Sequence, residues 1–457
     1  MIRIDGQPIL DAAQMRAAEA QTIAAGTGAE ALMARAGEQV AEQVRRLTAG
    51  AEVLVLCGPG NNGGDGYVAA AALRRAGHAA RIAACASPTT AAASAARAAW
   101  MGPVEELGNA APAPIVVDAL FGIGLNRPLG AEICEPLRHL IGNARLSIAV
   151  DVPSGVSTDD GSSFAEVPAV DLTLALAAVK PAHVLQPSAA RCGDIRLLDI
   201  GVEVSGPVRV ASAPQLRPPS ARDHKYSRGL VAVVAGRMPG AAALAATGAG
   251  RGGAGYVRLL GSATDRLPHA IVRQRFSAEA LADERVGAVV IGPGLGRDDK
   301  ARERLDLARA SERPMVIDGD ALHLLGEAPA RVPTILTPHA GEFARLFGDL
   351  NGSKIERAIA AARRANAVVV FKGADTVIAA PDGRAIVHAH APAWLATAGT
   401  GDVLAGVIGA QLAGGADVFT AAANGVWLHA EAARRAGPAF IADDLAAHLP
   451  AALGACL

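Results

Sequence analysis

Apolar residues along this chain gather into short runs that end in glycine or proline, with alanine-rich stretches between them. In the first half the runs read EVLVLCG (52–58), APIVVDALFG (113–122), LSIAVDVPSG (146–155) and LTLALAAVK (172–180). Each is apolar at nearly every position, not at every second one, so both faces of the strand it forms are buried. That pattern predicts a parallel sheet with helices on either side. Gly64 to Ala76 is one of the alanine-rich stretches and reads as a helix. The first half is therefore expected to be a doubly wound α/β domain, whose ligands sit at the carboxyl ends of the strands. The loops at 58–66, 118–128 and 151–155 converge at that edge.

Residues 202–229 lose the pattern and carry several prolines, which predicts a junction and two domains, 1–213 and 214–457. The alternation restarts with LVAVVAG (230–236), VGAVVIGPGLG (286–296), PMVIDGDAL (314–322), PTILTPHAGE (333–342) and AVVVFKGADTVI (367–378). A second α/β domain follows, ending in helices after Gly399. No internal repeat is visible.

Composition narrows the class. Hydrophobic residues make up 51% of the 457 and charged ones 19%, a globular balance. The 51 glycines, about 11%, exceed the usual ~7% and fit many backbone-exposing turns. A net charge of -1 argues against a nucleic-acid partner or an anionic membrane surface. Cys57, Cys85, Cys134, Cys192 and Cys456 are scattered and show no C-x-x-C pair, so they read as reduced packing residues. The start, MIRIDGQPILDAAQM, lacks a basic segment leading to an apolar one, and runs such as Val403 to Ala413 fall short of the ~18 residues of a membrane span. A cytoplasmic protein is expected.

Candidate chemistry lies at the strand ends. GPGNNGGDG (58–66) sits between a strand and a helix, where free backbone N–H groups hold phosphate or another anion. Gly58, Gly60 and Gly63 thread onto G-x-G-x-x-G, but that spacing leaves the paired asparagines unexplained. Asp118 and Asp151 at strand ends could accept a sugar hydroxyl, bind a cation or act as a base, or serve as turn and capping residues. In the second half, AGTGD (398–402) runs into an apolar helix, which puts Asp402 beside an anion-binding helix start. Lys372 in FKGADT suits a phosphate contact, and TPHAGEF offers His339 as a proton-transfer or hydroxyl-binding group and Glu342 as a candidate magnesium-water ligand. The turn 292–296, GPGLG, lets backbone approach a ligand.

Taken together these motifs resemble those of the bifunctional NAD(P)H-hydrate repair enzymes, an epimerase joined to an ADP-dependent dehydratase, over nearly the whole chain. MRAAEAQTIAAGTGAEALMARAG, GPGNNGGDG, DALFGIGL and DVPSGV resemble the epimerase signatures; HKYSRGLVAVVAG, GAGYVRL, GPGLG, TPHAGEF, KGADT and TAGTGDVLAG follow in the order of the dehydratase. The resemblance implies a Rossmann-like first domain and a ribokinase-like second one. It implies that hydrated NADH or NADPH is held in the first domain by Asn61, Asn62, Gly63, Gly64, Asp65, Gly122, Ile123, Gly124, Leu125, Asn126, Arg127, Pro128 and Asp151. Asp151 would transfer the proton, and Asn62, Asp118 and Ser154 would bind potassium. In the second domain it implies Ala254, Gly294, His339 and Asp402 near the hydrate, with Asp402 as base. Lys372, Gly373, Ala374, Asp375, Thr376 and Gly401 would hold ADP or AMP, with magnesium neutralising charge.

Ile123 stands where the family pattern has threonine, and Pro181 where glycine is common. A different expectation shares the fold: a small-alcohol kinase of the ribokinase-like class with a non-catalytic first domain, since G-T-G-D serves that chemistry too. Apolar alanine faces leave room for a homo-oligomer.

Overall fold

A computed structural model describes residues 2–164, 166–264, 266–326, 329–389 and 391–457. The chain divides between Val210 and Ala211 into two compact units, Met1–Val210 and Ala211–Leu457.

The first unit holds strands β1 (Val53–Cys57), β2 (Ala80–Ala84), β3 (Val104–Glu106), β4 (Ile115–Ala119), β5 (Leu146–Val150), β6 (Leu172–Leu176) and β7 (Asp194–Leu198), and ends in the short β8 (Val208–Val210). Its sheet has the order β3-β2-β1-β4-β5-β6-β7, with every pairing parallel. The chain leaves β1 in one direction and returns to β4 on its other side, so the topological switch point lies between them, above Cys57 and Ala119. Every residue of β1 and β4 is buried, as their unbroken apolar runs require. Helices α1 (Ala12–Ala24), α2 (Ala29–Thr48), α3 (Asn61–Arg75), α4 (Ala91–Ala98), α5 (Ala131–Gly142) and the single turn α6 (Pro181–Val184) cover the sheet. One apolar cluster joins α2 and α3 to the sheet through Val40, Val44, Val55 and Ile82; a second carries Leu137, Leu140 and Val116 from α5 and β4.

The bare turn expected at 58–66 is mostly helix. α3 begins at Asn61, so Asn61 to Gly66 form its first turns and not a loop leading to Gly64. Glycine costs about 1 kcal/mol per residue in a helix interior, and close packing sets against that cost here. A Cβ on Gly58 would stand 1.7 Å from the Leu120 carbonyl oxygen, and one on Gly63 1.9 Å from that of Gly58. One on Gly66 would meet Ala119 Cβ at 2.8 Å and Cys57 Sγ at 3.0 Å. The glycines seat α3 directly on the switch point.

In the second unit, β9 (Leu230–Val234), β10 (Tyr256–Leu260), β11 (Val272–Gln274), β12 (Val286–Ile291), β13 (Met315–Ile317), β14 (Thr334–Leu336), β15 (Val368–Phe371), β16 (Thr376–Ala379) and β17 (Ala385–His388) run in the order β11-β10-β9-β12-β13-β14-β15-β16-β17. The pairings are parallel from β11 through β15 and antiparallel from β15 to β17. The flanking helices are α7 (Pro239–Arg251), α8 (Ala278–Ala282), α9 (Asp299–Ala310), α10 (Gly319–Leu324), α11 (Ala340–Phe347), α12 (Lys354–Ala365), α13 (Thr400–Ala413), α14 (Val418–Ala436) and α15 (Ala442–Gly454). α13 is buried nearly all round, and glycine again sets its distance: a Cβ on Gly406 would stand 1.9 Å from the Ala245 carbonyl oxygen of α7. Among the described residues no helix is long and apolar enough to cross a membrane.

Gly58→Ala should overpack the switch point and lower the stability of the first unit by about 1–3 kcal/mol. Gly124→Ala, where an added Cβ meets nothing within 4 Å, should stay within about 0.5 kcal/mol of wild type. Urea unfolding of the two variants checks both values.

Candidate active sites

At the switch point of the first unit, Asp118 ends β4 out of water. Its Oδ1 accepts from Ser154 Oγ at 2.7 Å and from the Leu120 amide at 3.1 Å; its Oδ2 accepts from the Ser154 amide at 2.9 Å. Burial pushes the Asp118 carboxyl up, and the Ser154 and Leu120 hydrogen bonds oppose it. Ser154 Oγ also accepts the Phe121 amide at 3.0 Å, and Asn62 lies against the next residue, its Oδ1 3.2 Å from where a Gly122 Cβ would stand. The Phe121–Gly122 turn thus brings Asn62, Asp118 and Ser154 together. Asn62 Nδ2 is buried with no partner among the described residues. The donor set is oxygen-rich, the ligand class that hard cations take.

Beside this turn, a cavity of about 490 Å³ opens over the sheet. Three carboxylates line it: Glu19 from α1, Asp65 from α3 and Asp151 just past β5. Asp151 has a left-handed backbone, φ +67°, unusual for a residue with a side chain. Its Oδ1 accepts from Lys180 Nζ at 2.5 Å and from the Leu176 amide at 3.1 Å. Its carbonyl oxygen is 2.7 Å from His183 Nε2, while His183 Nδ1 accepts the Lys180 amide at 2.9 Å, so Nε2 carries the proton. Burial, then the Lys180 charge, hold His183 down to about 4, leaving a neutral ring. Burial, then the Asp151 charge, push Asp65 well up and Glu19 up.

Of the residues the sequence pointed to in this unit, Asn61, Asn62, Asp65, Gly122, Ile123, Gly124, Leu125 and Asp151 line the cavity. Gly63 and Gly64 are instead buried against Gly58 and Met33, while Asn126, Arg127 and Pro128 are exposed and outside the lining. Lys180, His183 and Glu19 escaped the sequence reading. A lysine directly after a fully apolar run, in LALAAVK, was the available signal, since such a position is buried and a buried lysine needs a partner.

In the second unit the strand ends gather Gly294 after β12, Asp318 after β13, His339 after β14, Lys372 after β15, and α13 with Asp402 in its first turn. Gly399, φ +88°, starts α13 with no side-chain cap, and His429 Nε2 donates to the Thr400 carbonyl at 2.8 Å. Lys372 Nζ bonds Asp318 Oδ1 at 2.8 Å and lies 4.0 Å from Glu342. Burial pulls Lys372 down, but Asp318, Glu342 and Asp402 outweigh it and leave it raised. Asp402 is pushed up to about 7 by burial, then by the Asp318 charge, against the pull of Lys372. A carboxyl poised there can exchange a proton at neutral pH.

His339 caps α11: its Nδ1 accepts the Gly341 amide at 3.0 Å, while Glu342 Oε2 returns to the His339 amide at 2.9 Å. Gly373, Ala374 and Asp375 form the turn between β15 and β16, closed by Thr376 Oγ1 on the Gly373 carbonyl at 2.8 Å. Lys354 Nζ bonds Asp375 Oδ1 at 2.5 Å, and burial lowers Lys354 despite that carboxylate. Gly401 lies beside Lys372, whose Nζ would be 3.6 Å from an added Cβ. Ala254 is not brought to these groups. It precedes β10, at the amino edge of the sheet, one strand length of about 16 Å from the carboxyl edge. Ala254 was expected near the hydrate only through the resemblance; in the structure its segment enters β10, where the Gly255 amide bonds the Gly229 carbonyl at 3.1 Å.

Two α/β units, each with buried carboxylates at the carboxyl edge of a parallel sheet and a glycine-rich helix start beside them, define a two-module enzyme. Residues 29–182 match the family described as YjeF-related protein N-terminus, and residues 231–453 that of NAD(P)H-hydrate dehydratase. The bifunctional NAD(P)H-hydrate repair enzyme Nnr of Mycobacterium tuberculosis H37Rv is 36% identical over 433 residues, covering 90% of both chains. That of Escherichia coli K12 is 33% identical over 434 residues, covering 88% of this chain and 84% of its own. The chain belongs to the family of bifunctional NAD(P)H-hydrate repair enzymes. A crystal structure of the ADP/ATP-dependent NAD(P)H-hydrate dehydratase of Bacillus subtilis is 30% identical, covers 53% of this chain and 95% of its own, and has a TM-score of 0.48.

Titration of a carbon-13-labelled Asp402 carboxyl should show a midpoint near 7. Asp318→Asn removes a repelling charge and releases Lys372, so the midpoint should fall.

Proposed function

We propose that the first unit interconverts the R and S hydrates of NADH and NADPH, and that the second dehydrates the S form using ADP, giving AMP and phosphate. The single observation that carries the second assignment is Asp402, an acid near neutrality at a helix start beside Lys372. Water is a poor leaving group, so the hydroxyl must first be converted into a better one. Asp402 takes the hydroxyl proton as the oxygen attacks the terminal phosphoryl group of ADP, and AMP departs. Loss of phosphate together with a ring proton then restores the double bond of the reduced nicotinamide.

Lys372 and the first-turn amides of α13 hold the transferring charge, and the Lys372–Thr376 turn receives the nucleotide. Glu342 would hold magnesium through water, and the ion when bound would neutralise phosphoryl charge. His339 and Gly294 border the hydrate. In the first unit Asp151 moves the proton, and the oxygens of Asn62, Asp118 and Ser154 would hold potassium, which when bound would steady the Phe121–Gly122 turn.

Recovery of absorbance at 340 nm from mixed R and S hydrates tests the reading. Wild type should recover both epimers in an ADP-dependent way. Asp402→Asn should abolish recovery, by at least about 1,000-fold in rate, while R and S still equilibrate. Wild-type dehydration at an unchanged rate in that variant would remove Asp402 from its role.

The pH dependence has a definite sign. Asp402 acts as the ionised base, and its raised pKa means that the active form is lost as pH falls through about 7. The kcat/KM for dehydration should drop tenfold per pH unit below that point and level off above it.

A further inference from the structure

The cavity of the first unit sets a problem that Asp151 cannot solve alone. The half-buried Glu19 and the buried Asp65 and Asp151 come to it from three different elements, and like charges gathered in one cavity oppose one another's ionisation. Two cations face them, Arg16 from α1 and Lys180 after β6, with the neutral His183 behind Asp151. Arg16 spends its Nη2 on the Ile123 carbonyl at 3.3 Å. Lys180 is 0% exposed, and its Nζ is shared between Asp151 Oδ1 at 2.5 Å and the Leu176 carbonyl at 2.6 Å.

We propose that Lys180 is a positioning residue of the epimerase site, which fixes Asp151 through Oδ1 and leaves Oδ2 as the oxygen presented to the substrate. The role rests on the epimerase reading given above. Oδ1 is filled by Lys180 and the Leu176 amide, whereas Oδ2 has no hydrogen bond among the described residues. The backbone of Asp151 is held by the same segment. His183, three residues beyond Lys180 and tied to its amide, donates to the Asp151 carbonyl and supports the φ of +67°. One turn beginning at Pro181 therefore sets both where Asp151 sits and which oxygen is free. Of the three carboxylates, Asp151 is the one to which Lys180 Nζ is hydrogen-bonded among the described residues, so the buried cation sits against the group assigned to accept the proton.

Lys180→Met and Lys180→Arg in the full chain test this, with dehydration of purified S hydrate by the second unit as an internal control for the protein's integrity. Epimerisation by Lys180→Met should fall at least 100-fold in kcat with KM changed less than threefold, and the acidic limb of its kcat/KM profile should move to higher pH by one unit or more. Lys180→Arg keeps the cation, so its limb should stay at the wild-type position even if kcat falls. If Lys180→Met does not fold, Lys180→Arg decides alone: a limb displaced as far as one unit overturns the proposal. A Lys180→Met protein with lowered kcat but an unmoved limb also overturns it, because that is what a purely structural lysine gives. Asp151→Asn is measured in parallel. Wild-type epimerisation by that variant would overturn the epimerase role of Asp151 itself, a failure separable from a Lys180 result obtained while Asp151→Asn is inactive.

Discussion

A carboxylate taken out of water must find a cation, gather hydrogen bonds or keep its proton. Both halves of this enzyme are arranged around that constraint, and they use all three solutions. Asp151 is matched by Lys180, Asp318 by Lys372 and Asp375 by Lys354, each at 2.5–2.8 Å. Asp118 is satisfied by Ser154 and the Leu120 amide. Among the described residues no cation is bonded to Asp402 or Asp65, and both are pushed toward the neutral form, in each case first by burial. A site that contains both kinds of carboxyl has acceptors and donors of protons without recruiting a group of unusual chemistry.

Parallel sheets supply the place where such groups meet. Their strands are buried on both faces, so most polar positions fall near the ends, and because the strands run parallel their carboxyl ends lie at one edge. Asp118 is the penultimate residue of β4, and Asp151, Asp318, His339 and Lys372 each follow within a few residues of a strand. The helices that start at the same edge, α3 and α13, contribute amides with partial positive character, which suits a phosphate-bearing substrate.

Much of this was legible in the sequence, because it rests on signals a few residues long. The apolar runs that became β1, β4, β5, β6, β9, β12, β13, β14 and β15 are strands for the reason given, burial on both faces. Short or less apolar strands such as β2, β3 and β7 carried no comparable signal. The start of α3 was misplaced because glycine counts against helix locally, while the close approach that requires it at Gly66 comes from Ala119, distant in sequence. Pairs such as Lys180 with Asp151 and Lys372 with Asp318 depend on contacts 29 and 54 residues apart, which no local pattern encodes. Ala254 shows the converse error, a motif whose small residues answer to strand packing at the far edge of the sheet.

The glycines of the first unit divide its cavity wall into two materials. Where Gly58, Gly63 and Gly66 seat α3 on the strands, there is no space for a single added carbon, so that side is a fixed template for whatever anion it faces. The loop Gly122 to Leu125 also lines the cavity, includes Gly124 with open space around it, and runs on into Asn126, Arg127 and Pro128, which are exposed and outside the lining. Substitutions that add bulk are therefore accommodated at Gly124 of that loop and resisted where α3 meets the strands.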